Sequence, residues 1–156
     1  MSLFISHTGG FFSCCSMKLD KIIKYINSNN KLPTLVDSSK LFNFYKGENK
    51  NIDITYDYFE DYNKLDDITF ENDIKFSISD QYKNFYHIDY NKISPILRKY
   101  FTPSKKIINN MKRIKNLYNI DYENSIAVYY RGTDKKKEIK MIDIYNEIKK
   151  DKDEYL

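Results

Sequence analysis

Leu3-Phe4-Ile5 forms a short apolar run that stops at Gly9-Gly10. Met17, Ile22, Ile23 and Ile26 then recur at helical spacing, with Ser16 placed to cap the segment and Asn29-Asn30 placed to end it. Pro33 restarts the chain, Leu35-Val36-Asp37 reads as a second strand, and Ser38-Ser39 can cap a turn from Leu41 to Tyr45. Strand, glycine turn, helix and strand in that order predict an α/β domain.

The middle of the chain changes rhythm. Ile52-Asp53-Ile54-Thr55-Tyr56-Asp57-Tyr58 and Ile74-Lys75-Phe76-Ser77-Ile78 alternate with period two, which predicts strands separated by acidic loop sequence. Pro95 and Pro103 bracket a short predicted helix over 96–102. Thr102 as cap and Pro103 at the first helical position predict another helix to about Tyr118, with Ile107, Ile108, Met111, Ile114, Leu117 and Tyr118 on one face and Lys and Arg on the other. The run Ser125 to Tyr130 is nearly continuously apolar, as suits an internal parallel strand, and Met141 to Lys152 reads as a closing helix.

Composition narrows the classes. Hydrophobic residues make up 41% of the 156 positions and prolines number only 3, which excludes a disordered chain. Ile, Lys, Asn and Tyr supply 75 residues, the types favoured by A/T-rich codons, so the excess of Lys and Tyr is not by itself a functional signal. No run of 18 apolar residues occurs, and the start lacks the basic segment of a secretory signal; no membrane partner and a cytoplasmic location are therefore expected. The two cysteines, Cys14 and Cys15, are adjacent, which precludes a disulfide framework, and with 2 His they do not make a structural zinc site of common spacing. They read as small buried residues.

Charge is divided along the chain. Residues 48–90 carry 11 acidic and 4 basic side chains, whereas residues 91–156 carry 16 basic and 9 acidic ones. The aromatic middle (Tyr56, Tyr58, Phe59, Tyr62, Tyr82, Phe85, Tyr86) has the rings of a single-strand stacking platform, but its acidity argues against nucleic acid, whose binding is dominated by phosphate contacts. Carbohydrate binding by those tyrosines stays open.

The densest candidate chemistry lies in Arg131-Gly132-Thr133-Asp134-Lys135, directly after the strand-like run. Ligands of open α/β sheets bind beyond the carboxyl ends of strands. Arg131 offers a fork of donors suited to a diphosphate, Gly132 permits close backbone approach, Thr133 adds a hydroxyl, Asp134 can orient Arg131 or a ribose, and Lys135 adds a second cation; on spacing alone the run reads as a strand followed by a solvated basic turn. His7, near Gly9 and Gly10 at the end of the first strand, is an acceptor-side candidate. His87 reads as packing, and Asp151-Lys152-Asp153 as a solvated charge run rather than a metal motif.

The segment from Ile126 to Glu138 resembles the first motif of the fucosyltransferase-like glycosyltransferases, a strand reading Val-His-x-Arg followed by Gly or Arg and then Thr-Asp-Lys. It is most similar to glycosyltransferase-like proteins of large DNA viruses with A/T-rich genomes. Gly9-Gly10-Phe11-Phe12-Ser13, Leu32-Pro33 with Val36-Asp37-Ser38-Ser39, and Tyr100-Phe101-Thr102-Pro103-Ser104 are similar to the same group. The resemblance implies a Rossmann-like N-terminal half of a GT-B glycosyltransferase, acceptor-side, over residues 1–120. Residues 121–156 would be the first strand-loop-helix unit of a donor-binding half.

The implied activity is transfer of a sugar from a nucleotide-sugar donor, GDP-fucose in type, to an acceptor hydroxyl on a glycan or protein, in the host cytoplasm if viral. By the same resemblance Arg131 holds the donor diphosphate, Glu138 is the nearest match to the base, and no metal or other cofactor is expected. The motif histidine is Tyr129 here, and 25 residues follow Arg131. An inactive truncated relative, or a partner of a separate C-terminal half chain, is therefore the alternative expectation.

Overall fold

The computed structural model describes residues 2–79 and 88–126. The chain divides into two compact units, Met1–Tyr118 and Asn119–Leu156. Tyr82, Phe85, Tyr86, His87, the run from Ala127 to Tyr130, Arg131 to Lys135, Glu138 and the closing segment with Asp151-Lys152-Asp153 lie outside the described residues.

The first unit opens as the apolar rhythm predicts. Strand β1 (Ser2–Ser6) leads into helix α1 (Phe11–Asn29) and strand β2 (Leu35–Lys40), and the two strands pair in parallel. Ser2, Leu3 and Phe4 stand opposite Leu35, Val36 and Asp37, and one extra β2 residue is accommodated before Ser6 meets Lys40. Helix α1 covers one sheet face: Ile5 and Val36 are buried, while Phe4 on the opposite face is exposed. The architecture is mixed α/β with a two-stranded parallel sheet among the described residues.

Helix α1 begins at Phe11, earlier than the Ser16 cap predicted from the spacing, because Gly10 takes the extended N-cap conformation and Ser16 continues the helix. Asn30 ends it in the left-handed region with φ 52, a conformation asparagine tolerates better than most residues. Cys14, Leu19, Ile22, Ile23 and Ile26 bury a stripe at helical spacing, and they share a core with Leu41, Phe42, Ile54, Phe59, Tyr62, Ile93, Ile96 and Tyr100.

The two period-two segments in the middle are not strands. Asp53 Oδ1 accepts from Thr55 N at 2.9 Å, an Asx turn that starts the short helix α2 (Thr55–Tyr58). Over 74–78, the Asn27 side chain donates to the Ile74 carbonyl at 2.9 Å and accepts from its amide at 3.0 Å. Asp20 accepts from Ile78 N at 3.2 Å. Polar side chains of α1 thus take the hydrogen bonds that a neighbouring strand would supply.

Helix α3 (Tyr90–Tyr100) starts upstream of the predicted proline boundary. Asp89 accepts from Asn91 N and Lys92 N, and this cap together with burial of Ile93, Ile96 and Tyr100 carries the helix through Pro95. Helix α4 (Lys105–Leu117) is capped by Ser104 rather than Thr102. Pro103 lies outside the helix, in an isolated antiparallel bridge with Phe59. Glu60 N donates to Thr102 O at 2.8 Å and Ser104 N to Tyr58 O at 2.9 Å, which fastens the α3–α4 turn to α2.

Candidate functional site

At the carboxyl end of β1 the chain turns through Gly9-Gly10 into α1. His7 Nε2 lies 2.9 Å from Ser13 Oγ, bridging the end of the strand to the first turn of the helix. Gly9 is required by that approach: a Cβ there would stand 2.8 Å from His7 Nε2 and 3.2 Å from the Ser13 Cβ. Gly10 has no such constraint, since the nearest atom to its Cβ position is the Tyr45 hydroxyl at 3.9 Å. His7, Gly9 and Gly10, the acceptor-side candidates, are therefore one cluster. The donor-side candidates Arg131, Gly132, Thr133, Asp134 and Lys135, with Glu138, lie outside the described residues.

Helix α1 starts without a side-chain cap from Gly10 and without an acidic residue in its first turn. The Tyr45 hydroxyl substitutes, accepting from Phe11 N at 2.8 Å across 34 residues of sequence. Phe42, which starts the turn from β2 to Tyr45, is fully buried with φ 59, a costly conformation for an aromatic residue. Its ring meets Phe11 at 5.1 Å between centroids. Packing against Phe11 and its neighbours thus holds the turn that delivers Tyr45 to the helix terminus.

Beside this junction runs an apolar groove of about 490 Å³ lined by Phe11, Phe12, Tyr45, Tyr58, Phe59, Pro103 and Ile107. Phe11 is its hub, in edge or tilted contact with Phe12, Phe42, Tyr45 and Tyr58 at 4.9 to 5.8 Å. A concave apolar surface with a few polar groups at its rim is the usual form of a small-molecule site. The lining here is almost wholly apolar, and Phe11, the first residue of α1, links the groove to the Gly9-Gly10 turn.

Behind the Phe59 wall lies Lys18, 2% exposed. Its Nζ sits 5.5 Å from the Phe59 ring centroid and 5.1 Å from that of Phe101, and donates to Tyr100 O at 3.3 Å. Burial lowers this amine to about 8, opposed by attraction from Cys15 and Asp53. Cys15 moves the other way: burial pushes its thiol up to about 12 despite Lys18. A thiol so shifted stays protonated and poorly nucleophilic, and Cys14, fully buried, donates to Gly9 O at 3.6 Å. Both cysteines are packing residues.

Sequence reasoning missed Ser13, Tyr45 and Lys18. Ser13 carried a signal, standing one helical turn inside a glycine junction preceded by His7. Lys18 carried one also, since it falls four residues from both Cys14 and Ile22 on the buried stripe. Tyr45 carried none, because its role depends on a turn 34 residues away. Among the described residues no group of three or more His, Cys, Asp or Glu is placed to hold a metal ion.

Comparison with known proteins finds no matching family model, no matching curated protein and no matching solved structure.

Proposed function

We propose that the chain is a glycosyltransferase-like protein whose first unit is the acceptor side of a Rossmann-like, GT-B-type arrangement. It serves transfer of a sugar from a nucleotide-linked donor, GDP-fucose in type, to an acceptor hydroxyl. The observation that carries this reading is the aromatic groove joined to the β1–α1 junction. Sugar rings present C–H faces that stack on aromatic rings, and their hydroxyls need a few fixed polar partners at the edge. Phe11, Phe12, Tyr45 and Tyr58 supply the rings. The carboxyl end of a parallel strand is where α/β proteins bind their ligands.

The sequence motif supplies the donor side. Arg131 and Lys135 neutralise the diphosphate, Asp134 orients Arg131, and Gly132 and Thr133 bring backbone and hydroxyl to it. In the reaction the acceptor oxygen attacks the anomeric carbon as the bond from that carbon to the diphosphate oxygen breaks. The departing nucleoside diphosphate keeps the electron pair, and Glu138 takes the hydroxyl proton. On the first unit His7 is the acceptor-side candidate. Charge developing on the leaving group is met by Arg131 without a metal.

Thermal melting with GDP or GDP-fucose tests the reading. At about ten times the dissociation constant a ligand adds about 1.4 kcal/mol, which raises the melting temperature by a few degrees. The expected result is a rise for the wild type and none for Arg131→Ala. An unchanged melting temperature for both, or an equal rise for both, contradicts it.

A further inference from the structure

Helix α4 has no buried residue. Met111, Leu117 and Tyr118 are 55%, 66% and 71% exposed, and Ile108 and Ile114 are also open to solvent. On a 3.6-residue wheel Ile107, Met111, Ile114 and Tyr118 fall on one line, with Ile108 and Leu117 on its two sides. The helix carries Lys105, Lys106, Lys112, Arg113 and Lys115 and not one acidic residue. Arg113 and Lys106 border the apolar arc on one side and Lys112 on the other, while Lys115 falls within it between Met111 and Ile108. Its amino-terminal end is already engaged: Lys106 pairs with Asp57 at 2.9 Å, Glu60 accepts from Lys105 N at 2.8 Å, and Ser104 Oγ donates to Asp57 O at 2.9 Å. Among the described residues the last two turns extend from that anchor with Met111, Ile114 and Leu117 exposed.

We propose that α4 docks the protein on an anionic lipid bilayer, lying in the interface with its apolar stripe in the acyl boundary and its basic flanks among the headgroups. This differs from the absence of a membrane partner expected from the sequence, which considered only spanning segments; among the described residues no helix is long and apolar enough to cross a membrane, and docking requires none. Charge decides the occupant. A second copy would bring a like-charged helix against this one, and a nucleic acid would leave Met111, Ile114 and Leu117 without a purpose. An anionic bilayer satisfies both faces at once. The inference does not depend on the sugar-transfer reading.

Sedimentation with vesicles tests it, using phosphatidylcholine alone or with about 30 mol% phosphatidylserine at about 0.15 M salt. The full chain is expected on the anionic vesicles and not on the neutral ones. Ile114→Glu together with Leu117→Glu should abolish retention, and Lys112→Gln together with Arg113→Gln should weaken it about 30-fold. These positions are exposed, and circular dichroism confirms that each variant is folded. The chain has no Trp, so Tyr118→Trp gives a reporter free of background, whose emission should shift to the blue on anionic vesicles only. Absence of retention, equal retention on neutral vesicles, or retention that survives Ile114→Glu with Leu117→Glu overturns the proposal. So does a concentration-dependent dimer that the same pair of changes dissolves, or salt-sensitive capture by duplex DNA without capture by vesicles.

Discussion

Helices α1 and α4 are both amphipathic by pattern, yet one buries eight residues and the other none. Both have apolar positions at helical spacing, so periodicity does not separate them. What separates them is the partner each face meets. The α1 stripe is packed against β1, β2 and α3, and its polar positions Asp20 and Asn27 hold the 74–78 segment through backbone hydrogen bonds. Among the described residues α4 is fastened at its amino-terminal end, to α2 and the turn before it, and of its stripe Ile107 lines the aromatic groove. An apolar stripe therefore reports that a helix wants a partner, while charge on the flanks tells what kind. Next to its stripe α1 has one buried cation held by rings and a carbonyl; α4 has a fringe of exposed ones.

The largest expected effect tests this contrast directly. Ile22→Ala or Ile26→Ala, in a fully buried stripe, should lose about 2–5 kcal/mol in denaturant unfolding, whereas Ile114→Ala should change stability by less than about 0.5 kcal/mol. Similar losses in the two helices would break the comparison.

Lys18 sharpens it next. Its folded-state amine titrates near 8 against 10.5 when unperturbed, so between those values the folded form binds fewer protons than the unfolded form. Wild-type stability should therefore gain from this group as pH rises from about 8 to about 10.5. Lys18→Met should be more stable below pH 8, by roughly 1–3 kcal/mol, and should lack that gain. The difference between the two melting curves isolates Lys18 from the 15 tyrosines that titrate nearby. Parallel curves would show that the amine is not held in an apolar setting.

Smaller effects belong to the start of α1. Tyr45→Phe removes the acceptor for Phe11 N–H and should cost about 1 kcal/mol. Gly9→Ala should displace the His7 imidazole from Ser13, read as a changed His7 ring signal in NMR, with a stability loss below about 1 kcal/mol. Gly10→Ala should leave that signal in place.

Much of the first unit was legible because its rhythm is local. Leu3 to Ile5, the stripe to Ile26, the Asn29-Asn30 stop and Leu35 to Asp37 each announce themselves within a few residues, and so does a helix start near Pro103, although its cap is Ser104 and not Thr102. The misreadings have a common cause. Over 52–58 and 74–78, alternation reported a half-buried extended chain, but Asp53 turned the first segment into a helix and Asn27 satisfied the second from a helix. Hydrogen bonding by distant or side-chain partners overrode a pattern that records only burial. Of the candidate site, His7, Gly9 and Gly10 fall among the described residues and stand at the strand–glycine–helix junction the sequence marks, while Tyr45 and the Phe59–Pro103 wall arrive from distant sequence and leave no local trace.

Hydrogen exchange resolved by peptide, with and without anionic vesicles, tests the division between the two helices most directly. The α1 amides should exchange only through global opening and the α4 amides far faster, with phosphatidylserine vesicles slowing α4 alone. Equal protection of both helices in the absence of vesicles, or vesicles that leave α4 unchanged, would contradict it.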